Sequence, residues 1–450
     1  MKLIVLFFLI SSVLIGQNIH GTILDAETKE PLENVNIFIE KYNAGTGSNA
    51  QGKFTVFLKS GVRKTDTLQF SLLGYVTIRT TILYLKENKN IVFLSKKFEN
   101  LEEITVTTAR KLNSKLKFKK VSSMPTGVYS FGSTLVDDKI YVIGGDVSDI
   151  VDTAKKTMDE LSNREGMGFN DFIKRSKMNS LWENYSSALQ IYNIEENKWS
   201  TSDILFRKRA YHEVAYNNNK LYVFGGKSLS NNRKFEYLED KIEIFNTSTN
   251  EIIIDHTNPH QAINFASFVY HDNIIVMGGS IKLRVDGEKV CTDKCHIYNL
   301  ASGKWYEMPR MTQPKEVNGV MIENKIYLIG GFNGAPLKEI ESYDLLTGKW
   351  EKEGDLFHGI ANPALTYHNE IIYIFSNGII QTFNLVTKTI EAYHVDLKLK
   401  NAQLYCYKQH LYIFGGFEEE DFSKLRSSDS YSIDLKEFSN TEIINSKRMN

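Results

Sequence analysis

The stretch "NAQLYCYKQHLYIFGG", residues 401–416, decides the fold. An alternating aromatic strand leads into a polar turn, a second strand follows, and the stretch ends on two glycines. The same form recurs without a gap as "SFGSTLVDDKIYVIGG" (130–145), "YHEVAYNNNKLYVFGG" (211–226), "NFASFVYHDNIIVMGG" (264–279), "EVNGVMIENKIYLIGG" (316–331) and "NPALTYHNEIIYIFSN" (362–377). Repetition at this fidelity indicates a repeat architecture.

Each unit predicts two antiparallel strands, and its glycine pair permits backbone conformations that bulkier residues avoid. A second hairpin follows most units, at "QIYNIEENKW" (190–199), "EIFNTSTNEI" (243–252), "HIYNLASGKW" (296–305), "ESYDLLTGKW" (341–350), "QTFNLVTKTI" (381–390) and "SYSIDLKEF" (430–438). A four-stranded sheet of about 50 residues cannot bury both of its faces alone. We therefore expect the units to stack around an axis as propeller blades.

Glycine pairs followed by Tyr-Asp or Tyr-Asn and then Gly-Lys-Trp make residues 118–450 resemble the Kelch repeat. The resemblance implies a six-bladed β-propeller. The fifth copy departs from the pattern, with Ser376-Asn377 in place of the glycine pair.

Two further features bear on the blades. The tryptophans of the second hairpins are predicted to pack inside blades rather than to bind ligands: Trp199, Trp305 and Trp350. How the ring closes stays open, because residues 115–127 and residues 432–443 could each supply the outer strand of the last blade.

Residues 18–108 show a different pattern of short alternating strands separated by turn signals, which is typical of a small sandwich. The motifs Asp25/Gly21, Glu30-Pro31-Leu32, Asn49-x-x-Gly52-x-Phe54, Gly74-Tyr75 and "LEEITVT" (101–107) together resemble the carboxypeptidase regulatory-like domain. The resemblance implies a transthyretin/Ig-like β-sandwich that precedes a receptor plug in many exported proteins of the Bacteroidetes type. Because repeats follow instead of a plug, the chain is not itself a transporter. A linker is predicted over 109–117, and the predicted fold class is all-β.

Residues 1–17 are typical of a secretory signal peptide. One lysine precedes an apolar run from Leu3 to Ile15, which is shorter than the ~20 residues that a spanning helix needs. We expect an exported protein without a membrane span after signal removal, located in the periplasm, at the outer membrane or outside the cell. An uncleaved anchor is the alternative.

The charge balance argues against partners that are recognised by a strong global field. Lys plus Arg and Asp plus Glu number 54 each, so nothing favours nucleic acid or an anionic membrane surface. The hydrophobic content of 42% supports a packed core. We expect a monomer that binds an envelope protein, a peptide or a glycan.

Three cysteines are present. Cys291 and Cys295 are close enough in sequence to form a disulfide in an oxidising compartment. A metal site that adds His296 is the weaker interpretation, because a closed zinc site needs four ligands. Cys406 is predicted to be a small buried hydrophobe. We expect neither a metal nor a cofactor.

Inserted segments mark one face of the propeller. Residues 147–187 carry apolar residues at helical spacing and predict a helical excursion in the first blade. The loops 227–240 and 280–293 leave their glycine pairs in the same way, so all three should emerge on one face. Loops on a rigid scaffold carry recognition, although a stabilising cap is the alternative for the first insertion.

The first position of each unit should lie near the mouth of the propeller axis. We call these six positions the mouth ring: Ser130, Tyr211, Asn264, Glu316, Asn362 and Asn401. They are predicted to bind a polar ligand together with Arg209, although they could instead cap the inner strands and hold water. Arg207, Arg209 and His212 would make the sector around Tyr211 cationic.

The sequence offers little for catalysis. It contains no nucleophile elbow, no phosphate-binding glycine loop and no helical pair of histidines with a glutamate. We therefore predict a binding protein. The alternative is a sugar mutarotase like the exported sialic acid mutarotases of the Kelch class, with Glu316 and either Arg209 or His212 as the acid/base pair.

Overall fold

A computed structural model describes residues 17–58, 63–96, 111–151, 184–233, 235–283 and 288–449. The chain divides into two compact units, residues 1–110 and 111–450. Three predicted features lie outside the described residues: positions 1–16 of the signal peptide, positions 152–183 of the helical insertion, and the "LEEITVT" segment. In the described part of the chain, no helix has the length and apolar character needed to cross a bilayer.

The first unit is a β-sandwich. Its elements are β1 (Gln17–Asp25), β2 (Asn36–Ile39), a 3-10 turn (Glu40–Tyr42), β3 (Ala44–Gly47), β4 (Lys53–Leu58), β5 (Thr67–Ser71), β6 (Ile78–Thr81), α1 (Ile82–Glu87) and β7 (Ile91–Leu94). One sheet has the order β4-β1-β7 and the other β3-β2-β5-β6. Alternate apolar residues face inward and form one buried core, as Ile19 and Ile23 do on β1. The predicted sandwich is confirmed.

Two of the motif residues meet in this unit. The carboxylate of Asp25 accepts hydrogen bonds from the backbone N–H groups of Glu27 (2.8 Å) and Thr28 (3.0 Å) and from the hydroxyl of Tyr75 (2.8 Å). The backbone bond from Thr28 leads the interactions that lower the pKa of Asp25 to about 2. The spacing of the motif in sequence therefore reflects a turn that Asp25 holds against the Gly74-Tyr75 pair.

The second unit contains many more strands. They are β8 (Lys119–Val121), β9 (Gly132–Val136), β10 (Lys139–Ile143), β11 (Ile150–Val151), β12 (Ala188–Asn193), β13 (Lys198–Leu205), β14 (Glu213–Asn217), β15 (Lys220–Phe224), β16 (Lys227–Leu229), β17 (Glu236–Leu238), β18 (Ile242–Asn246), β19 (Glu251–Asp255), β20 (Ala266–Tyr270), β21 (Asn273–Met277), β22 (Ser280–Leu283) and β23 (Lys289–Cys291). The series continues with β24 (Cys295–Asn299), β25 (Lys304–Met308), β26 (Glu316–Ile322), β27 (Lys325–Phe332), β28 (Glu339–Asp344), β29 (Lys349–Asp355), β30 (Ala364–His368), β31 (Ile371–Ser376), β32 (Ile379–Asn384), β33 (Thr389–His394), β34 (Gln403–Tyr407), β35 (His410–Phe414), β36 (Phe417–Glu420), β37 (Ser423–Arg426), β38 (Ser430–Asp434), a 3-10 turn (Leu435–Asn440) and β39 (Asn445–Arg448).

Six of the sheets share one antiparallel plan. Their orders are β9-β10-β12-β13, β14-β15-β18-β19, β20-β21-β24-β25, β26-β27-β28-β29, β30-β31-β32-β33-β39 and β34-β35-β38-β8. In each, the two strands of the 16-residue unit come first. Buried apolar clusters fill the space between consecutive sheets and between the last sheet and the first. The predicted all-β propeller is confirmed.

Both ends of the second unit contribute outer strands, which answers the question of closure. β8 pairs with β38 and completes the last sheet, with Lys119 opposite Ser432. The C-terminal strand β39 instead pairs with β33 and adds a fifth strand to the neighbouring sheet. Of the two candidate segments, residues 115–127 contain the outer strand β8, whereas residues 432–443 contain the end of β38 and the 3-10 turn and supply no outer strand.

The linker predicted over 109–117 is partly propeller. Asn113 bridges Thr441, and Leu116 bridges Val395. The Leu116 side chain is buried in the cluster between the last two sheets. The chain is thus attached to the propeller from Asn113 onward, because Leu116 is an apolar side chain that the sheets can bury.

The tryptophans pack within the blades, as predicted. Each ring lies against a tyrosine of the neighbouring strand, with centroid distances of 5.0 Å for Tyr192–Trp199, 4.8 Å for Tyr298–Trp305 and 4.9 Å for Tyr343–Trp350. Each indole N–H donates to a loop oxygen, as Trp199 does to the carbonyl of Ser122 at 2.9 Å. These rings are therefore structural.

The glycine pairs adopt a left-handed backbone, which explains why they repeat. Gly330 and Gly331, for example, have φ of 61° and 110°. In the fifth copy the positive φ values move one residue along, to Asn377 (43°) and Gly378 (86°), which form a two-residue turn between β31 and β32. An Asn-Gly hairpin turn thus replaces the glycine pair there.

In five of the six blades, a buried polar residue begins the second hairpin and holds the loop that leads into the blade. Glu243 accepts from the N–H of Arg207 at 2.9 Å, and Glu341 accepts from the hydroxyl of Thr312 at 2.6 Å. The equivalent residues are Gln190, which bonds Thr126, His296, which bonds His260, and Gln381, which bonds the N–H of Phe357. These contacts fix the loops that surround the mouth.

Candidate functional site

The loops after the glycine pairs emerge on one face, as predicted for 227–240 and 280–293. They fold as two hairpins, β16–β17 and β22–β23. Each hairpin begins beside the chain that approaches the mouth ring, through the bridges Ala210–Lys227 and Ile263–Ser280. A third hairpin, β36–β37, does the same through Lys400–Phe417 and pairs with β11 of the first insertion. We call this side the mouth face.

The mouth ring is held together by its own backbone. The N–H of Tyr211 donates to the carbonyl of Ser130 at 2.6 Å, that of Asn264 to Tyr211 at 3.3 Å, and that of Val317 to Asn264 at 3.0 Å. Ser130, Tyr211, Asn264 and Asn401 all have φ between 50° and 62°. Asn tolerates this left-handed conformation, so part of the Asn preference at these positions is conformational.

The side chains of the mouth ring have different surroundings. The Asn401 amide donates to the hydroxyl of Ser130 at 3.0 Å. Glu316 is buried and accepts from Lys289 Nζ at 2.9 Å on each carboxylate oxygen. Asn264 and Asn362 are half-buried and make no side-chain hydrogen bond with the described residues. The structure thus brings ring members together, and among the described residues the amides of Asn264 and Asn362 are the ring amides without a side-chain partner.

Arg209 and His212 do not face the mouth, contrary to the predicted cationic sector. The Arg209 side chain is 0% exposed and its Nη2 donates to Glu243 at 2.7 Å. His212 is also buried, and its Nε2 accepts from the N–H of Gly132 at 3.2 Å. Burial, followed by the nearby Arg209 charge, holds the pKa of His212 well below its usual value. Arg207 is more exposed but pairs with Glu239 at 2.9 Å.

The acid/base pair proposed for the mutarotase alternative is not assembled. Glu316 is paired with Lys289, whereas Arg209 is paired with Glu243 and the His212 ring lies beside Gly132 and Gly144. No hydrogen bond or ion pair within the described ranges joins Glu316 to Arg209 or to His212. A general acid and a general base must both reach the reacting atoms of one bound substrate. These groups lie in separate environments.

A groove with a volume of about 440 Å³ opens on the mouth face between the first two hairpins. We call it the hairpin groove. Tyr211 of the mouth ring lines it together with Lys227, Glu236, Tyr237, Leu238, Ile263, Ser280, Ile281, Lys282 and Lys289. Both apolar and charged side chains line its walls, a combination suited to binding an amphipathic partner. Sequence analysis indicated these loops but not their pairing into one groove.

A second cavity of about 280 Å³ occupies the axis of the propeller. Residues of all six inner strands line it, including Ser133, Glu213, Ser267, Asn318 and Gln403. Glu213 accepts from the hydroxyl of Ser267 at 3.3 Å. Burial raises the pKa of Glu213 to about 8. Sequence patterns do not single out this residue, because it is the third of its unit and the other units have Gly, Ala, Asn or Gln there.

We expect Glu213 to make the stability of the propeller depend on pH. Because its pKa is raised from 4.5 to about 8, the folded state binds the proton more tightly, and this contribution is present below pH 4.5 and lost as the pH rises through 8. The free energy of unfolding should fall by on the order of 5 kcal/mol relative to Glu213→Gln across that window. Urea unfolding of both proteins from pH 4.5 to 9 measures it, and parallel curves would contradict it.

The disulfide predicted between Cys291 and Cys295 is not formed. All three cysteines are free thiols, and Cys291 ends hairpin strand β23 whereas Cys295 begins blade strand β24. The two thiols face different carbonyls, Phe332 for Cys291 and Asp293 for Cys295, each at 3.6 Å. Cys406 is half-buried, and burial raises its pKa to about 11. Within the described residues, no cluster of His, Cys, Asp and Glu is suited to a metal ion.

Comparisons with known proteins agree with this architecture. Residues 177–377 match the KLHDC2/KLHL20/DRC7 Kelch-repeats domain, and residues 19–106 match the CarboxypepD_reg-like domain. Kelch repeat and BTB domain-containing protein 12 of Homo sapiens is 29% identical over 180 residues, 37% of this chain and 29% of that protein. Alpha-scruin of Limulus polyphemus is 23% identical over 276 residues, 55% of this chain and 29% of that protein. The chain thus spans less than a third of each of these relatives.

A solved structure, entitled "Structure of YjhT", shares the fold. It superposes with a TM-score of 0.52 at 14% identity and covers 72% of this chain and 99% of its own. At this identity, the likeness concerns the fold alone.

Proposed function

Since the chain joins a carboxypeptidase regulatory-like domain to Kelch repeats, we propose that it is an exported, non-catalytic binding protein whose propeller recognises a partner through the mouth face. The small sandwich would tether or dock the protein in the cell envelope. The observation that carries the proposal is the hairpin groove, which opens beside Tyr211 and is walled by two hairpins on a rigid ring of sheets.

The surroundings of the candidate catalytic residues support binding rather than catalysis. Arg209 and His212 are enclosed between sheets, and the Glu316 carboxylate is neutralised by Lys289. Binding needs only distributed contacts, which the groove and the half-buried amides of the mouth ring can provide. Curated relatives that carry Kelch repeats are compatible with a protein-interaction propeller.

The test is capture of a partner by the mature chain. The chain from residue 18 onward should retain a defined component of an envelope extract, or a defined member of a peptide or glycan array. It should also be recovered in the soluble envelope or culture fraction. Failure to retain any component on the extract or the arrays would refute the binding function, and full-length protein in the cytosol would refute export.

The mutarotase alternative makes a separate prediction. We expect the rate of anomer exchange for sialic acid and common aldoses, measured by NMR, to be no faster than in buffer, because Glu316 does not converge with Arg209 or His212 at the mouth. Exchange that is faster than buffer, lost in Glu316→Gln and kept in the surface variant Glu251→Gln, would establish the enzyme instead.

A further inference from the structure

The hairpin groove runs along strand edges. Three successive residues of β17, Glu236 to Leu238, line it, and so do three of β22, Ser280 to Lys282. Successive side chains of a strand point to opposite faces, so a cavity that touches three in a row lies beside the strand's edge. Within the described part of the chain, β17 pairs only with β16. An exposed edge of this kind is a template for another strand.

A β-bulge shapes the opposite wall. The pairing of β22 with β23 places Ser280 opposite Cys291 and Lys282 opposite Val290, so Ile281 is an extra residue. A bulge redirects side chains, and here both Ile281 and Lys282 line the groove. Ile281 is 42% exposed and Tyr237, across the groove, is 56% exposed. The groove therefore offers apolar surface on both sides.

The charged side chains in the groove favour a negatively charged partner. Lys227 forms an ion pair with Glu236, and Lys289 forms one with Glu316. Lys282 is exposed and forms no ion pair among the residues that the structure describes. The groove thus presents, beside apolar walls, one ammonium group that no carboxylate of the described residues pairs with. Its complement is a carboxylate flanked by an apolar side chain.

We propose that the hairpin groove binds an extended polypeptide segment of a partner protein, which adds a short strand to the edge of β17. One carboxylate of the segment pairs with Lys282, and a neighbouring apolar side chain packs between Tyr211 and Ile281. This inference rests on the proposed binding function and names the class of its partner. Main-chain hydrogen bonds supply the affinity, and alternate side chains supply the specificity.

Selection from a phage-displayed library of random dodecapeptides on the full chain tests the proposal. The selected peptides should contain Asp or Glu beside apolar residues. A synthetic peptide from the pool should bind Lys282→Glu at least about ten-fold more weakly than wild type, because like charges would face each other. Lys304→Glu, a change at an exposed lysine on the outer strand β25, should leave affinity unchanged.

A second readout addresses strand addition. N-methylation of alternate amides of the peptide removes the donors in one register and should abolish binding, whereas methylation in the other register should be tolerated. Absence of an enriched pool, equal binding by Lys282→Glu, or binding that survives both registers would each overturn the proposal. Partner capture in the envelope experiment that Lys282→Glu does not change would overturn it while leaving the binding function intact.

Discussion

Gly331→Ala should lower the free energy of unfolding by about 3 kcal/mol or more. Gly331 has φ of 110°, and a Cβ atom there would lie against the carbonyl oxygen of Glu316. A residue with a Cβ atom is destabilised by roughly 1–2 kcal/mol in the left-handed conformation. The added Cβ atom also forces two backbone segments apart. Because Glu316 belongs to the mouth ring, the displacement would also reach the face proposed for binding. Thermal and urea unfolding measure the loss.

The same loop contains a matched control. Gly334 also has a positive φ, of 75°, but an added Cβ would meet nothing within 4 Å. Gly334→Ala should therefore lower the free energy of unfolding by only about 1 kcal/mol, which is the effect of the left-handed backbone conformation alone. If the two variants lost equal stability, the close backbone approach at the glycine pair would not be the reason that glycine is required there.

This contrast indicates why the fold was accessible from sequence. A glycine pair repeated at the end of an alternating hairpin records a backbone requirement that few other residues meet, so its period is visible directly. The fifth copy shows the limit of that signal, since Asn377-Gly378 meets the same need one residue later. Ser376-Asn377 departs from the glycine pair in sequence, but the pair of left-handed residues is kept one position later.

Pairing between strands or side chains that are far apart in sequence was harder to predict. Residues 115–127 and 432–443 both resembled an outer strand, and nothing local states that β8 pairs with β38 or that β39, which follows the second segment, pairs with β33. Likewise, the glutamates that open two of the second hairpins are visible in the sequence, but their partners are not. Glu243 meets Arg209 only because the chain has passed through the two inner strands of the blade and a mouth-face hairpin between them.

The sequence predicted that the mouth-ring positions meet, but not how their side chains and neighbours are paired. First positions of the units do meet around the axis, as the hydrogen bonds among Ser130, Tyr211 and Asn264 show. The sequence could not reveal that Arg209 is enclosed, since a charged residue near a loop normally faces solvent. Nor could it reveal the hairpin groove, which depends on how two insertions lie beside each other.

Arg209→Met should destabilise the protein by about 3–5 kcal/mol. The guanidinium is fully buried, donates to Glu243 at 2.7 Å and also donates to the carbonyls of Gly225 and Lys241, each at 3.2 Å. Burial raises the pKa of Glu243 and lowers that of Arg209, so each charge depends on the other. Removing one leaves the other buried and uncompensated, which costs more than the pair contributes.

Two further variants separate this role from ligand binding. Glu243→Gln keeps an acceptor for the N–H of Arg207, so the double variant Arg209→Met/Glu243→Gln should recover much of the loss. Lys352→Met, in the exposed pair with Asp355, should change stability by less than about 1 kcal/mol.

If Arg209→Met instead kept full stability and lost partner binding, Arg209 would be a ligand group as the sequence predicted. The burial of its side chain favours the structural role, because a residue that holds the incoming loop of its blade positions Tyr211 without reaching the partner itself.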